Sequence, residues 1–164
     1  MAGLVISLDD PRADDVAALL AAHLSFARST SPPEDTHALD LTGLLDPAIT
    51  FCSARRDGEL VAIGALQHLD ADHVELKSMH TAAAARGQGI GRAMVDHLVA
   101  LAADRGYRTV SLETGSMDAF APARALYASA GFVPCGPFAG YRDSPNSSYM
   151  TRSIGRRAGR RAVG

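Results

Sequence analysis

The chain contains 164 residues, of which 47% are hydrophobic and 21% charged, and its formal net charge at pH 7 is −2. This length suits a single domain that buries about two-thirds of the surface its unfolded chain would expose. The small net charge, and the lack of any apolar run near the ~20 residues that span a bilayer, exclude nucleic acid and membranes as expected partners and predict a cytoplasmic protein.

The N-terminal segment predicts a strand followed by a helix. Residues 4–8 alternate as in a strand. Asp10 and Pro11 are typical of a helix N-cap and of the first helical position. Apolar side chains then recur at helical spacing and predict one buried stripe, formed by Val16, Leu19, Leu20, Leu24 and Ala27. The serines and prolines of residues 29–33 must end this helix.

A second, shorter helix and a hairpin are expected next. The helix is predicted over residues 36–45. Strands over residues 49–55 and 60–69 flank Asp57 and Gly58, a pair favoured in tight hairpin turns because both positions tolerate positive φ. Together these elements predict helices packed on one part of a β-sheet.

The second half predicts a strand, a helix and further strands. Residues 74–81 alternate, which predicts one face formed by Glu75, Lys77, Met79 and Thr81 and the opposite face by Leu76, Ser78 and His80. Apolar residues at helical spacing after residue 90 predict a helix that ends near Gly106. Further strands are expected over residues 109–114 and 144–154.

Three glycines and two arginines lie where the predicted strand leads into this helix, in the run Arg86-Gly87-Gln88-Gly89-Ile90-Gly91-Arg92. Glycine lets backbone N–H groups approach a ligand without a Cβ in the way, and a helix N-terminus presents unpaired N–H donors with about half a positive charge. The run therefore predicts an anion site suited to a diphosphate. It does not fit the glycine spacing of the dinucleotide fingerprint, and it lacks the Lys-Ser/Thr ending of a Walker loop.

Two motifs in this half resemble those of the GNAT superfamily of acyl-CoA-dependent N-acyltransferases. Residues 86–91 match the pattern Arg/Gln-x-x-Gly-x-Gly/Ala, and residues 126–132 match Leu-Tyr-x-x-x-Gly-Phe. The resemblance runs from about residue 3 to 154 and is greatest to a group of small bacterial acetyltransferases of the YsnE type. It implies an α/β (α+β) fold with a mixed sheet of about seven strands, a splayed cofactor-binding strand pair and about four helices. We expect one domain over residues 1–154 and an Arg/Gly-rich flexible tail over 155–164.

The same resemblance implies acetyl-CoA as acyl donor and assigns residues that bind it. The diphosphate belongs at the run from Arg86 to Arg92, with Gly87, Gln88, Gly89, Ile90 and Gly91 between them. The pantetheine arm belongs along Met79, His80 and Thr81, with the His80 side chain pointing to the other face. Family members often carry asparagine seven residues before the motif tyrosine, where this chain has Phe120, so that polar contact is lost. Arg124 is a candidate phosphate ligand, and Tyr127 lies at the thioester.

The chemistry requires a base and an acid. A lysine-type amine has a pKa near 10.4 and arrives protonated, so a base must take its proton. Glu75 occupies the place of a catalytic glutamate in some superfamily members; Glu113 and a water relay stay open as alternatives. Tyr127 is the predicted proton donor to the departing thiolate. Full transfer from a phenol with a pKa near 10 to a thiolate near 8.5 is uphill by ~2 kcal/mol.

The acceptor is expected to be the primary amine of a small molecule, either an amino acid or another amine. Phe138, Tyr141 and Arg142 belong to a loop over residues 135–148 that is expected to border the acceptor, and an arginine there favours a carboxylate. The histidine spacing predicts no metal. A monomer or a homodimer is expected. Two other readings stay open: a non-catalytic acyl-CoA-binding regulatory module, and a protein or lysine acetyltransferase.

Overall fold

A computed structural model describes residues 2–155, which form one seven-stranded sheet with helices on both faces. The strands are β1 (Leu4–Leu8), β2 (Ile49–Arg56), β3 (Glu59–His68), β4 (His73–Thr81), β5 (Thr109–Gly115), β6 (Val133–Cys135) and β7 (Ser147–Ser153). Their order is β1-β2-β3-β4-β5-β7-β6, and only β4 and β5 pair in parallel. The predicted tail lies outside the described residues, apart from Gly155.

Four α-helices accompany the sheet: α1 (Asp14–Thr30), α2 (Leu41–Leu44), α3 (Ile90–Asp104) and α4 (Ala121–Ser129). The predicted fold class is therefore confirmed, with seven strands in a mixed sheet and four helices in the described chain. Two apolar cores lie on opposite faces of the sheet. The larger packs α3 and α4 on one face, and the smaller packs the Val16 and Leu20 stripe of α1 against Ile63 on the other. Within residues 2–155, no helix is both long and apolar enough to cross a bilayer.

The first helix begins later than predicted. The Asp10 carboxylate accepts a hydrogen bond from the backbone N–H of Arg12 at 2.9 Å and binds the Arg12 guanidinium as well. These contacts close a turn ahead of the helix, so the expected N-cap at Asp10 is wrong and α1 starts at Asp14. The end is as predicted, since α1 stops at Thr30, before the proline pair.

The second helix is much shorter than the predicted span of residues 36–45. It is a single turn, α2, capped by Asp40, whose carboxylate accepts from the backbone N–H of Gly43 at 2.9 Å. The Asp40 cap sets the start of the helix. Residues 36–40 precede it and stay irregular, and part of this segment reaches the candidate site.

The predicted hairpin is confirmed. Asp57 and Gly58 join β2 to β3 with φ values of 50° and 84°, the two positive angles that a type I′ turn requires. Strand β6 has no counterpart among the predicted elements, because three residues with Pro134 in the middle read as loop in the sequence. The strand forms because it pairs with β7, and the local sequence does not indicate this pairing.

Candidate active site

A β-bulge in β4 sets the geometry of the site. Lys77 pairs with Ala65 and His80 with Ile63, so the two residues of β4 between them, Ser78 and Met79, both lie opposite the single β3 residue Gly64. Ser78 has φ = 57°, the left-handed region that non-glycine residues rarely adopt. A bulge of this kind inserts one residue and reverses the alternation of side chains beyond it.

The reversal makes the predicted faces of β4 wrong beyond Lys77. Met79 faces α3, where its sulfur packs beside Met94, instead of sharing a face with Glu75. His80, expected on the other face, lies on the same face as Glu75 and Lys77 and contacts His23 of α1. The prediction assumed strict alternation with a period of two residues. Such a pattern cannot reveal an inserted residue, so both side chains were assigned to the wrong face.

Strands β4 and β5 separate part-way along their length. Their parallel register pairs His73, Val74 and Glu75 with β5, and the described ladder continues no further. A cavity of about 550 Å³ occupies the opening. It connects Ile90 and Tyr127 on the α3 side to Glu75, Lys77 and His80 on the α1 side. A strand rises ~3.3 Å per residue, so the cavity follows β4 for about 20 Å.

The predicted anion cradle forms one end of this cavity. Gly87 and Gly89 have φ values of 76° and 79°, angles that glycine adopts without strain, and α3 begins directly after Gly89. The first N–H groups of a helix have no intrahelical acceptor. Ile90, Gly91 and Arg92 line the cavity with Arg86 and the two other glycines. A chain with this backbone fits a diphosphate group.

Two side chains of the cradle stabilise the protein itself. Arg92 donates to Asp96 at 3.0 Å and to the backbone carbonyl of Ser129 at 2.9 Å, which joins α3 to the end of α4. Gln88 accepts from Arg56 and is not among the described residues that line the cavity. The Gln88 side chain is therefore used within the protein, and its predicted contact with the cofactor stays a prediction.

Arg124 and Phe120 lie around the start of α4. The Arg124 guanidinium donates to the carbonyls of Gly115 and Met117 at 2.7 and 3.0 Å, and Arg124 is absent from the described cavity lining. Its observed contacts brace the loop after β5. Phe120 does line the cavity: its ring occupies the space that a Cβ at Gly115 would take and meets the Phe26 ring edge-on at 5.2 Å.

Tyr127 lies in α4 where the strands diverge. It is 7% exposed and lines the cavity, and no described residue makes a hydrogen bond to its hydroxyl. Burial, and then the nearby Glu113 carboxylate, raise the pKa of Tyr127 well above its usual value. An unpaired phenol in this position is available to donate a hydrogen bond to a ligand in the cavity.

A closed triangle of polar groups lies at the opposite end of the cavity from the cradle. The Tyr141 hydroxyl donates to a Glu75 carboxylate oxygen at 2.6 Å. Lys77 donates from Nζ to the same oxygen at 3.3 Å and to the Tyr141 hydroxyl at 2.9 Å. Glu75 is therefore buried with two donors already bound to it. Of the loop residues expected here, Tyr141 lines the cavity, while Phe138 packs behind it and Arg142 is exposed.

Glu113 faces the same space without such partners. Its side chain is 9% exposed, and His37 Nε2, at 3.9 Å, is the basic nitrogen of the described chain that lies within 4 Å of its carboxylate. Burial raises the pKa of Glu113 to about 7, and the negative charge of Glu75 adds to this while Lys77 opposes it. A carboxyl that titrates near neutral pH is suited to accept and release a proton there.

Three lining residues escaped the sequence analysis: Asp35 and His37, close to Glu113, and His23, which contacts His80 nearer the cradle. His23 Nδ1 lies 3.2 Å from His80 Nδ1, and burial lowers the pKa of His23 to about 4. Burial also lowers the pKa of His37 and of His80, so all three imidazoles are neutral at pH 7. They come from α1 and the following irregular segment, and no local pattern marks them, because only folding brings these segments to β4.

The match to known proteins decides the family. A family model described as the acetyltransferase (GNAT) family matches residues 14–132. The chain belongs to the GNAT family. A GNAT relative from Bacillus subtilis (strain 168), named uncharacterized N-acetyltransferase YsnE, is 46% identical over 91% of the chain and 99% of its own length. The Escherichia coli (strain K12) protein named uncharacterized N-acetyltransferase YedL is 40% identical over 91% of the chain and 94% of its own length.

Solved structures agree with the GNAT assignment. One from Klebsiella pneumoniae, assigned to the acyl-CoA N-acyltransferases, has a TM-score of 0.78 and 29% identity, and covers 93% of this chain and 99% of its own. An Elizabethkingia anophelis GNAT acetyltransferase with acetyl-CoA bound shares the fold, with a TM-score of 0.68 and 17% identity over 94% of this chain and all of its own. The predicted superfamily is confirmed: the protein is an N-acetyltransferase that uses acetyl-CoA. In residues 2–155, no three His, Cys, Asp or Glu side chains come together as a metal site.

Proposed function

We propose that this GNAT protein acetylates the primary amine of a small molecule by direct transfer in a ternary complex, with Glu113 as general base and Tyr127 as donor to the departing sulfur. One observation carries the proposal. A single cavity joins the anion cradle, Tyr127 and Glu113, so the thioester of an acetyl-CoA whose diphosphate binds the cradle and an amine next to Glu113 can meet in the space beside Tyr127. An acetyl-CoA donor also supports a location in the cytoplasm.

The reaction requires movement of two protons from nitrogen. The arriving ammonium loses one proton, the amine nitrogen bonds to the thioester carbonyl carbon, and the carbon–sulfur bond breaks. The second nitrogen proton is lost as the amide forms, so the products are an acetamide, coenzyme A as thiol and one released proton. The chain must therefore accept a proton at the amine and supply a donor at the sulfur.

Glu113 suits the amine better than Glu75, the residue expected from the family pattern. Glu75 already accepts hydrogen bonds from Tyr141 and Lys77. Glu113 has no hydrogen bond from the described residues, and its pKa is raised to about 7 by burial. A base works best when its pKa lies near the operating pH, because enough of it is ionised and it still binds protons well. Glu75 then acts by holding Tyr141 and Lys77 in place.

Tyr127 suits the sulfur as a hydrogen-bond donor. Its raised pKa makes complete proton transfer more uphill than for an ordinary phenol. A hydrogen bond to the departing thiolate needs no complete transfer and strengthens as negative charge develops on sulfur. The unpaired hydroxyl and its place in the cavity support this role.

The proposal is tested by two measurements on the full-length protein. Calorimetric titration with acetyl-CoA, with ATP and NAD as controls, is expected to give saturable binding of acetyl-CoA alone. A thiol-release assay over a panel of small primary amines is then expected to give turnover that requires both substrates. Binding without turnover for any small amine, together with acetylation of a lysine or N-terminal peptide, would overturn the small-molecule assignment. Failure to bind acetyl-CoA would overturn the assignment of the cradle.

A further inference from the structure

The acceptor end of the cavity carries an excess of negative charge. Three carboxylates line it, those of Asp35, Glu75 and Glu113, and one lysine, Lys77. The other lysines and arginines of the described lining are two arginines of the cradle, at the far end of the cavity. An incoming acceptor therefore meets three acidic groups and one basic group.

The lysine is already neutralised by a neighbour. Lys77 Nζ lies 3.3 Å from the Glu75 carboxylate, and both side chains are at least nine-tenths buried. The other hydrogen bond of the Lys77 ammonium is to the neutral Tyr141 hydroxyl. Lys77 and Glu75 thus cancel as a pair, and the net charge offered to an acceptor is set by Asp35 and Glu113.

Asp35 is held in its ionised form. Hydrogen bonds from Asn146 at 3.0 Å and Ser144 at 2.8 Å keep the pKa of Asp35 below its usual value. Both donors are neutral, so they leave its charge in place. Arg142, which the sequence suggested as a clamp for an acceptor carboxylate, is exposed and is not part of the described lining; its charge lowers the pKa of Asp35 less than the two hydrogen bonds do. The lining histidines are neutral at pH 7 because burial lowers their pKa.

Glu113 supplies an independent sign that a cation belongs here. Its side chain is more than nine-tenths buried, faces the cavity and accepts no hydrogen bond from the described residues. Buried carboxylates are normally paired or hydrogen-bonded. An ammonium group next to Glu113 would supply the missing donor and favour its ionised form.

We propose that the acceptor is a primary amine with an apolar body and no carboxylate close to its amino group, and that free α-amino acids are poor acceptors. This inference rests on the proposed acetylation of small amines. The carboxylate of an α-amino acid is one carbon away from the amine, so it would enter the same negative field, where the one lysine of the lining is already paired with Glu75. The rings of Phe26, Phe120 and Tyr141 line the cavity and suit an apolar body.

Matched acceptor pairs test this directly. The wild-type full-length protein is assayed by thiol release at saturating acetyl-CoA with tyramine and tyrosine, phenylethylamine and phenylalanine, and isoamylamine and leucine. Each amine is expected to exceed its amino acid in kcat/KM by roughly tenfold or more. Tyrosinamide, which keeps the bulk but removes the charge, is expected to recover most of the activity of tyramine. The assays are run at two pH values, because the compounds differ in amine pKa and the ranking of kcat/KM should not depend on the fraction of neutral amine.

The outcomes separate this inference from the proposed function. Amino acids that equal or exceed their amines would overturn the inference while small-molecule acetylation stands. No turnover with any of the seven compounds, with acetyl-CoA binding intact, would overturn the proposed function itself. Poor turnover of tyrosinamide as well as tyrosine would overturn the charge argument, because it would show that the bulk of the substituent next to the amine, and not its charge, limits turnover.

One substitution shifts the preference without touching the cradle. Asp35→Asn removes a negative charge, and its side-chain oxygen can still accept from Ser144 and Asn146. The ratio of kcat/KM for tyramine over tyrosine is expected to fall by roughly threefold or more, with acetyl-CoA affinity unchanged. An unchanged ratio in a folded variant would contradict the role given to this charge.

Discussion

The Tyr141 hydroxyl donates a 2.6 Å hydrogen bond to the carboxylate of Glu75, a residue 66 positions earlier in the chain. This bond ties the loop between β6 and β7 to the cofactor strand β4. Lys77 binds both groups, so Glu75 is held by two donors in a buried site. Glu113, across the gap between β4 and β5, has no such donors in the described chain. The two glutamates should therefore differ in their effect on the pH dependence of the reaction.

The first prediction separates these glutamates by pH profile. In the wild type, log kcat/KM is expected to rise through about pH 7, the raised pKa of Glu113, because the base is active only when deprotonated. Glu113→Gln should remove this rise and lower kcat/KM by roughly 10² or more at pH 8. Glu75→Gln should keep the rise. A profile in which Glu75→Gln alone abolishes the rise would return the role of base to Glu75.

The same buried carboxyl should cost stability at high pH. Burial raises the pKa of Glu113 from 4.5 to about 7, so its favourable contribution to folding is present below pH 4.5 and is lost as the pH rises through 7. Glu113→Gln should therefore be more stable than the wild type at pH 8, by about 3 kcal/mol, and the difference should shrink at pH 5. Denaturant unfolding at both pH values measures this. Glu59→Gln, at an exposed position, is the control and should show no such difference.

Tyr127→Phe should reduce catalysis while leaving cofactor binding intact. The substitution removes only the hydroxyl, which has no partner in the described chain, so the packing of the ring against Phe132 is retained. We expect kcat to fall roughly 10-fold to 100-fold with little change in acetyl-CoA affinity, because the lost hydrogen bond acts mainly in the transition state. Calorimetry and initial rates check both quantities. An equal loss of affinity would indicate that the hydroxyl serves binding instead.

The cradle can be tested with two matched glycines of the same helix. Gly87 precedes α3 with φ = 76°, and Gly106 follows it with φ = 88°; a Cβ at either position would meet nothing within 4 Å. Gly87→Ala and Gly106→Ala should thus lower stability by a similar amount, about 1 kcal/mol. Only Gly87→Ala should weaken acetyl-CoA binding, by roughly tenfold, since only Gly87 lines the cavity. Equal affinities in the two variants would refute the cradle.

Gly64 permits the bulge that shapes β4. A Cβ there would lie 2.8 Å from the Met79 sulfur and 2.9 Å from atoms of Met94 and Leu98. Gly64→Ala should therefore overpack this core and lower the free energy of unfolding by about 1–3 kcal/mol. Gly136→Ala, where an added Cβ meets nothing within 4 Å, is the control. Thermal unfolding of both variants distinguishes a packing effect from a general intolerance of alanine.

The features that the sequence determined by itself are local ones. The turn at Asp57 and Gly58, the cradle from Arg86 to Arg92 and the start of α3 each depend on residues within one turn of chain, where positive φ and helix periodicity leave few alternatives. The same holds for the motif around Tyr127. The two motifs indicate the fold and the cofactor through their resemblance to the GNAT superfamily.

Only the tertiary structure decided the acceptor end of the site. Asp35 meets Ser144 and Asn146 across 109 and 111 residues of chain. Nearer the cradle, His23 meets His80 across 57 residues, a contact that likewise forms only on folding. The bulge at Ser78 likewise has no local signal in the sequence. Ser78 adopts a strained left-handed conformation, and the packing of Met79 on α3, which depends on the tertiary structure, offsets that strain. The net charge of this end and the burial of its side chains depend on segments that are distant in sequence. Both are therefore fixed only when the chain has folded.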